Sequence, residues 1–96
     1  MTGALRFEWD AAKAAGNLEK HGISFEEAAT VFGDSLGRIV DDPRHSTGEQ
    51  CYVLLGHSEH HRLLAVMFTE RGEAIRLISA REATWRERRE YEEGER

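Results

Sequence analysis

One cysteine, one proline and no apolar run of membrane-spanning length set the first bounds on this 96-residue chain. A lone Cys51 cannot close an internal disulfide and does not by itself make a zinc site, so disulfide scaffolds and cysteine redox chemistry are excluded. A bilayer-crossing helix takes about 20 apolar residues, which the chain nowhere offers. Its opening, Met1-Thr2-Gly3-Ala4, lacks the charged and apolar regions of a signal peptide, and the expectation is a cytoplasmic protein without a membrane. Basic residues are also in deficit, 13 against 18 acidic, for a net charge of -5. On totals this argues against nucleic acid, because phosphate binding takes Lys and Arg.

The residues present are sufficient for one domain spanning residues 1–96. A hydrophobic share of 40%, with four Phe, two Trp and two Tyr, fills a modest core. The charge is unevenly placed. Acidic residues crowd Glu26, Glu27, Asp34, Asp41 and Asp42, while seven of the eleven Arg lie between Arg62 and Arg89. A local positive field can exist on an acidic protein.

Leu5-Arg6-Phe7-Glu8-Trp9 alternates apolar and polar residues and reads as a strand at a sheet edge. Asp10 caps a helix over Ala11 to Lys20 that ends near His21, with Gly22 as its left-handed cap. Ser24 and Glu27 form a capping box for a second helix whose Phe25, Ala28, Ala29 and Phe32 share a face, closed by Gly33. Leu36 to Val40 is a strand, and Asp42 to Gly48 is a turn-rich polar loop. Three more strands follow over Gln50 to Leu55, Arg62 to Thr69 and Ala74 to Ala80. Their short links, His57 to His61 and Glu70 to Glu73, imply antiparallel hairpins. Arg81 to Glu93 is helix-prone, with Trp85 as its anchor. The order is β-α-α-β-β-β-β-α, an α+β fold in which a small antiparallel sheet is packed by an N-terminal helical hairpin and a C-terminal helix.

Lys13, Asn17, Lys20 and His21 recur at helical spacing and share a face, either a phosphate-facing row or a solvated surface. Arg76 lies on the strand face opposite Ile75 and Leu77. A charged guanidinium there must reach water, a bound anion or a carboxylate, with Glu8, Glu49 and Glu70 as candidate partners. Arg81 ends the strand where the last helix begins, an unfavourable place for a cation unless an anion is shared. Such residues suit RNA cleavage by the substrate's own 2′-hydroxyl, which needs alignment, charge stabilisation and proton transfer but no metal. His21 is the proton carrier of the helix row, with Tyr91 or Lys20 as substitutes. Arg62 and Arg88 join Lys13 and Asn17 as candidate RNA-backbone contacts. His57, His60 and His61 read as an exposed turn rather than a metal site, because adjacent His60 and His61 converge poorly on one ion. Neither a cofactor nor a metal is expected.

Phe7-Glu8-Trp9-Asp10, Lys13, Asn17, Lys20-His21-Gly22, Ser24-Phe25-Glu26-Glu27-Ala28 and Val31-Phe32 together resemble the opening of the BrnT family of toxins. Thr69-Glu70-Arg71, Ile75 to Arg81, and Glu87-Arg88-Arg89 with Tyr91 resemble its closing pattern, and the resemblance covers about nine-tenths of the chain. It implies a RelE/ParE-like fold and a ribonuclease toxin of a type II toxin-antitoxin pair. It also implies neutralisation by a BrnA-like ribbon-helix-helix antitoxin, through which operator DNA is reached indirectly. By position it points to Lys20, His21, Arg76, Arg81 and Tyr91 as catalytic. The family places an Arg where this chain has Cys51, and the alternative is a weak or inactive toxin that acts as an antitoxin-binding co-repressor module.

Overall fold

Five short runs of alternating and β-branched residues pair into one sheet in the computed structural model, which describes residues 5–41 and 50–94. In chain order the elements are β1 (Arg6–Glu8), α1 (Ala11–His21), α2 (Phe25–Thr30) with a 3-10 turn (Val31–Gly33), β2 (Arg38–Asp41), β3 (Cys51–His57), β4 (Leu63–Arg71), β5 (Ala74–Glu82) and α3 (Trp85–Gly94). This is the α+β element order expected from the sequence, and the polar loop Asp42 to Gly48 lies outside the described residues.

The sheet itself differs from the expectation. It is mixed, not wholly antiparallel, with strand order β1-β5-β4-β3-β2. Successive strands β2 to β5 pair antiparallel, whereas β1 lies parallel to β5 with Phe7 opposite Ile75. A parallel pair needs a long connection, and here the rest of the domain separates the two strands. With only three residues, β1 is held as much by rings as by the ladder. Phe7 meets Phe32 edge-on at 5.1 Å, Phe32 meets Phe68 at 5.0 Å, and Trp9 meets Phe25 at 5.8 Å.

The helical hairpin forms where its caps predict. Asp10 accepts from the Lys13 amide at 2.9 Å, Gly22 takes the left-handed conformation at φ 72°, and Ser24 accepts from the Glu27 amide at 3.0 Å. The Ser24 capping box is only half made, because the Glu27 carboxylate turns away to Arg62 and Ser58. Ile23, Phe25, Ala28 and Val31 then bury against Leu54, Leu64, Val66, Phe68, Leu77 and Ala80. Each such aliphatic or aromatic side chain contributes roughly 1.5 to 3 kcal/mol by leaving water.

The opposite face of the sheet carries a smaller cluster, Val53, Leu55, Leu63, Ala65 and Tyr91, under α3. The helix is anchored there by Tyr91, which is 4% exposed, and not by Trp85, which is 71% exposed. Tyr91 lies one turn beyond Glu87, so both point at the sheet while Trp85 points away.

Candidate functional site

Arg76 and Arg81 are five positions apart, and in a regular strand such residues project to opposite faces. A bulge changes this. Met67 of β4 is paired with Ser79, but its neighbour Phe68 is paired with Leu77, so Ile78 is an extra residue in β5. Arg76 thus comes opposite Thr69 and Arg81 opposite Ala65, both on the α3 face. Their Cα atoms are four steps of β4 apart, roughly 13 Å.

The same register places every strand arginine on that face. Arg6 and Glu8 alternate with Phe7, which packs on the helix side; Arg38 pairs with Leu55, and Arg71 lies two residues beyond Thr69. Arg6, Arg38, Arg71, Arg76 and Arg81 therefore share one face of the sheet. Glu70 and Glu82 fall on the other, opposite or beside residues of the helix-side core. An acidic protein carries its strand arginines sorted onto a single surface, which α3 crosses from Arg81 toward Arg38; a side chain added at Gly94 would run into the Arg38 guanidinium.

Arg76 and Arg81 hold carboxylates. Arg76 pairs with its cross-strand neighbour Glu8 at 3.2 Å, one of the three candidate partners in the sequence, and both side chains stay partly exposed. Arg81 grips Glu87 with both ends of its fork, at 2.7 and 3.0 Å. That carboxylate also accepts from the Thr84 amide at 2.9 Å, while the Glu87 amide donates to the Thr84 hydroxyl at 3.1 Å. Glu87 is thus the shared anion that makes a cation tolerable at the start of α3. The Arg81 hydrogen bonds are the main reason its carboxyl is held below the usual range, against the effect of burial.

Further along α3 the Tyr91 hydroxyl donates to Asp34 at 2.7 Å, and the Asp34 carboxylate also takes the His57 and Leu36 amides at 2.8 and 3.0 Å. Burial raises the Asp34 pKa, but these bonds outweigh it and leave the group below its ordinary value. His57 Nδ1 lies 3.2 Å from the phenol oxygen. With the hydroxyl hydrogen given to Asp34, that oxygen accepts from Nδ1–H, so Nε2 is the acceptor of the neutral ring. The imidazole is 43% exposed.

The remaining sequence candidates lie elsewhere. Lys13, Lys20 and His21 are exposed on α1, which covers the helix side of the sheet, the face opposite Arg76 and Arg81. Asn17 does not join their row. It is 7% exposed, its amide nitrogen donates to the Ile23 and Ala80 carbonyls at 2.9 and 2.8 Å, and its oxygen accepts from the Ala80 amide at 3.0 Å. The side chain is spent joining α1 to β5. Arg62 makes a forked pair with Glu27 at 3.0 and 2.5 Å and reaches the Gly22 carbonyl, so it staples the β3–β4 turn to the hairpin. Arg88 is exposed on α3. Among the described residues no three His, Cys, Asp or Glu converge. Cys51 is buried opposite Thr69, whose other neighbour is Arg76, so an Arg at this position would stand in the row of Arg76 and Glu8.

Glu87 had a signal in the sequence, since Thr84-x-x-Glu87 is itself a capping box. Asp34 and His57 had none, because 23 residues separate them and a further 34 separate His57 from Tyr91.

The profile of one family, described as the ribonuclease toxin BrnT of a type II toxin-antitoxin system, matches residues 9–87. The crystal structure of the Brucella abortus ribonuclease toxin BrnT superposes with a TM-score of 0.65 at 21% identity, over 84% of this chain and 99% of that one. At that identity the likeness shows the fold alone. No curated protein sequence matches the chain.

Proposed function

Because the chain belongs to the BrnT family of ribonuclease toxins of type II toxin-antitoxin systems, we propose that it is a metal-independent endoribonuclease that binds RNA on the arginine face of its sheet. The observation that carries this reading is the register that turns Arg6, Arg38, Arg71, Arg76 and Arg81 to one side. The scissile phosphate replaces the Glu87 carboxylate in the Arg81 fork, since planar guanidinium forks bind carboxylate and phosphate alike. Arg76, roughly 13 Å away, takes another phosphate of the same strand. The 2′-hydroxyl attacks phosphorus, its proton is removed, and the 5′-oxygen leaves with a proton, giving a 2′,3′-cyclic phosphate and a free 5′-hydroxyl. Proton transfer falls to the Tyr91 and His57 pair, which lies on the α3 side of the sheet, and not to His21 or Lys20 on the other. The fold is read as RelE/ParE-like, the setting as the cytoplasm, and the consequence of cleavage as inhibited translation. A BrnA-like ribbon-helix-helix antitoxin neutralises the toxin and carries the complex to operator DNA.

The test is expression without an antitoxin, together with cleavage of single-stranded RNA by the purified chain in EDTA. Growth arrest and cyclic-phosphate products are expected. Normal growth and uncut RNA would remove the enzymatic reading.

One observation favours a second reading. Arg62, Arg76 and Arg81 each meet a carboxylate, and Cys51 stands where the family resemblance implies an Arg. A chain whose cations are already paired suits a catalytically weak toxin retained as an antitoxin-binding co-repressor.

A further inference from the structure

Trp85, in the first turn of α3, has no packing duty. It is 71% exposed, while Tyr91 and Glu87 hold the helix from its other side. The charge around it runs against the helix dipole. Arg86, Arg88 and Arg89 occupy the N-terminal half and Glu90, Glu92 and Glu93 the C-terminal half, whereas helices are stabilised by the reverse order. Glu87, the acidic residue of the first turn, is committed to Arg81 and Thr84. Within α3, Arg89 reaches Glu93 at 3.9 Å and lies over the Trp85 ring, exposed i,i+4 contacts that each add little to a helix, so the ring and the inverted charge do little for its stability.

Both fit an unpaired nucleotide. The Arg89 guanidinium lies 5.4 Å from the Trp85 ring centroid, and Trp85, Arg86, Arg89, Glu90 and Glu93 line one shallow depression. Thr84, the residue before the ring, shares with Arg81 the carboxylate whose place the phosphate takes. Sheets that bind single-stranded RNA stack bases on strand aromatics, but here Phe7, Tyr52 and Phe68 all pack on the helix side. The base of a bound nucleotide needs a platform elsewhere.

We propose that Trp85 is that platform: it stacks an unpaired base of the RNA whose phosphate is held at Arg81 on the ring face that Arg89 does not cover, so that single-stranded RNA is bound in preference to duplex. This rests on the ribonuclease reading above. Stacking requires a base free of a helix, which makes the preference a consequence of the geometry.

The probe is a mixed-sequence 12-nucleotide 2′-O-methyl RNA, which cannot be cut by 2′-hydroxyl attack, followed by fluorescence anisotropy. Trp85→Ala is expected to weaken binding about tenfold and Trp85→Phe by less, with the thermal midpoint unchanged because the ring packs against no core. An abasic scan then identifies the stacked base. One abasic position is expected to weaken wild type as far as Trp85→Ala does and to leave Trp85→Ala unaffected. Equal affinities for wild type and Trp85→Ala, while Arg76→Ala weakens binding, would overturn the platform and leave the arginine face standing. Equal RNA affinities with weakened antitoxin binding by Trp85→Ala would overturn it in favour of a protein-docking role. If wild type neither binds nor cuts RNA, the ribonuclease reading falls and the platform falls with it.

Discussion

On the helix side of the sheet, Leu64, Val66, Phe68, Leu77 and Ala80 close against Ile23, Phe25, Ala28 and Val31. On the other side the same strands present Arg6, Arg38, Arg71, Arg76 and Arg81, crossed by one helix. Asn17 and Glu27, on the helix side, are buried and fully engaged, and changing them acts on folding. Arg76 and Arg81, on the arginine side, are partly exposed and can exchange a carboxylate for another anion at small cost. On the proposed reading, the face of the sheet separates Asn17 and Glu27 from Arg76 and Arg81 better than residue type does.

The largest expected effect lies on the helix side. Asn17→Ala removes three hydrogen bonds and leaves the Ile23 carbonyl and both Ala80 backbone groups unsatisfied. The expected loss is about 3 kcal/mol of stability in urea unfolding, with RNA affinity per folded molecule unchanged. Should Asn17→Ala keep full stability and lose RNA affinity, the division between the faces would break.

Next comes Arg76→Ala. It gives up a partly exposed ion pair worth about 0 to 1 kcal/mol, so the fold should barely respond, whereas cleavage should fall about a hundredfold, or about 2.7 kcal/mol. This is a cleaner probe than Arg81→Ala, which also strands Glu87 at the start of α3. Unchanged cleavage by a folded Arg76→Ala would place the chemistry off this face.

Glu87→Gln joins the two behaviours. Losing the Arg81 pair and weakening the cap should cost about 1 kcal/mol of stability, while RNA affinity rises because the anion that competes with phosphate is gone. Acid separates the same effects. Glu27 and Glu87 both have carboxyls held below the ordinary 4.5, so their contribution is complete above that value and is lost as pH falls through the folded pKa. Arg62 is the first cause for Glu27 and Arg81 for Glu87. Glu87→Gln should therefore lose less stability than wild type between neutral pH and pH 3 in acid unfolding, and an identical acid profile would deny the pair its role.

Much of the helix side was legible in the sequence, because caps and apolar spacing are local signals. Asp10, Gly22 and Ser24 mark the hairpin, and Phe25, Ala28 and Phe32 mark its inner face. The arginine side was not. Nothing in Leu77-Ile78-Ser79 announces a bulge, since no Gly or Pro marks it, yet that one extra residue turns Arg76 and Arg81 to the same face. The choice of Tyr91 over Trp85 as anchor depended on Asp34, a residue 57 positions away. The parallel pairing of β1 with β5 has no local cause.

The remaining test probes the arginine face by addition. Cys51, Thr69, Arg76 and Glu8 form one row across four strands, so Cys51→Arg adds a guanidinium two strand spacings, roughly 10 Å, from Arg76. Cys51 is only 6% exposed, and a larger charged side chain there should cost about 1 to 2 kcal/mol of stability. If single-stranded RNA crosses this row, affinity should rise several-fold, and the slope of log affinity against log salt should steepen by about 0.7 for the added phosphate contact. The slope is the more informative readout, because destabilisation lowers the folded fraction without adding a released counterion. An affinity gain with an unchanged slope would mean that the new side chain acts on the fold and that the strand of RNA does not cross this row. A steeper slope would show that a cation at position 51 gains a phosphate contact.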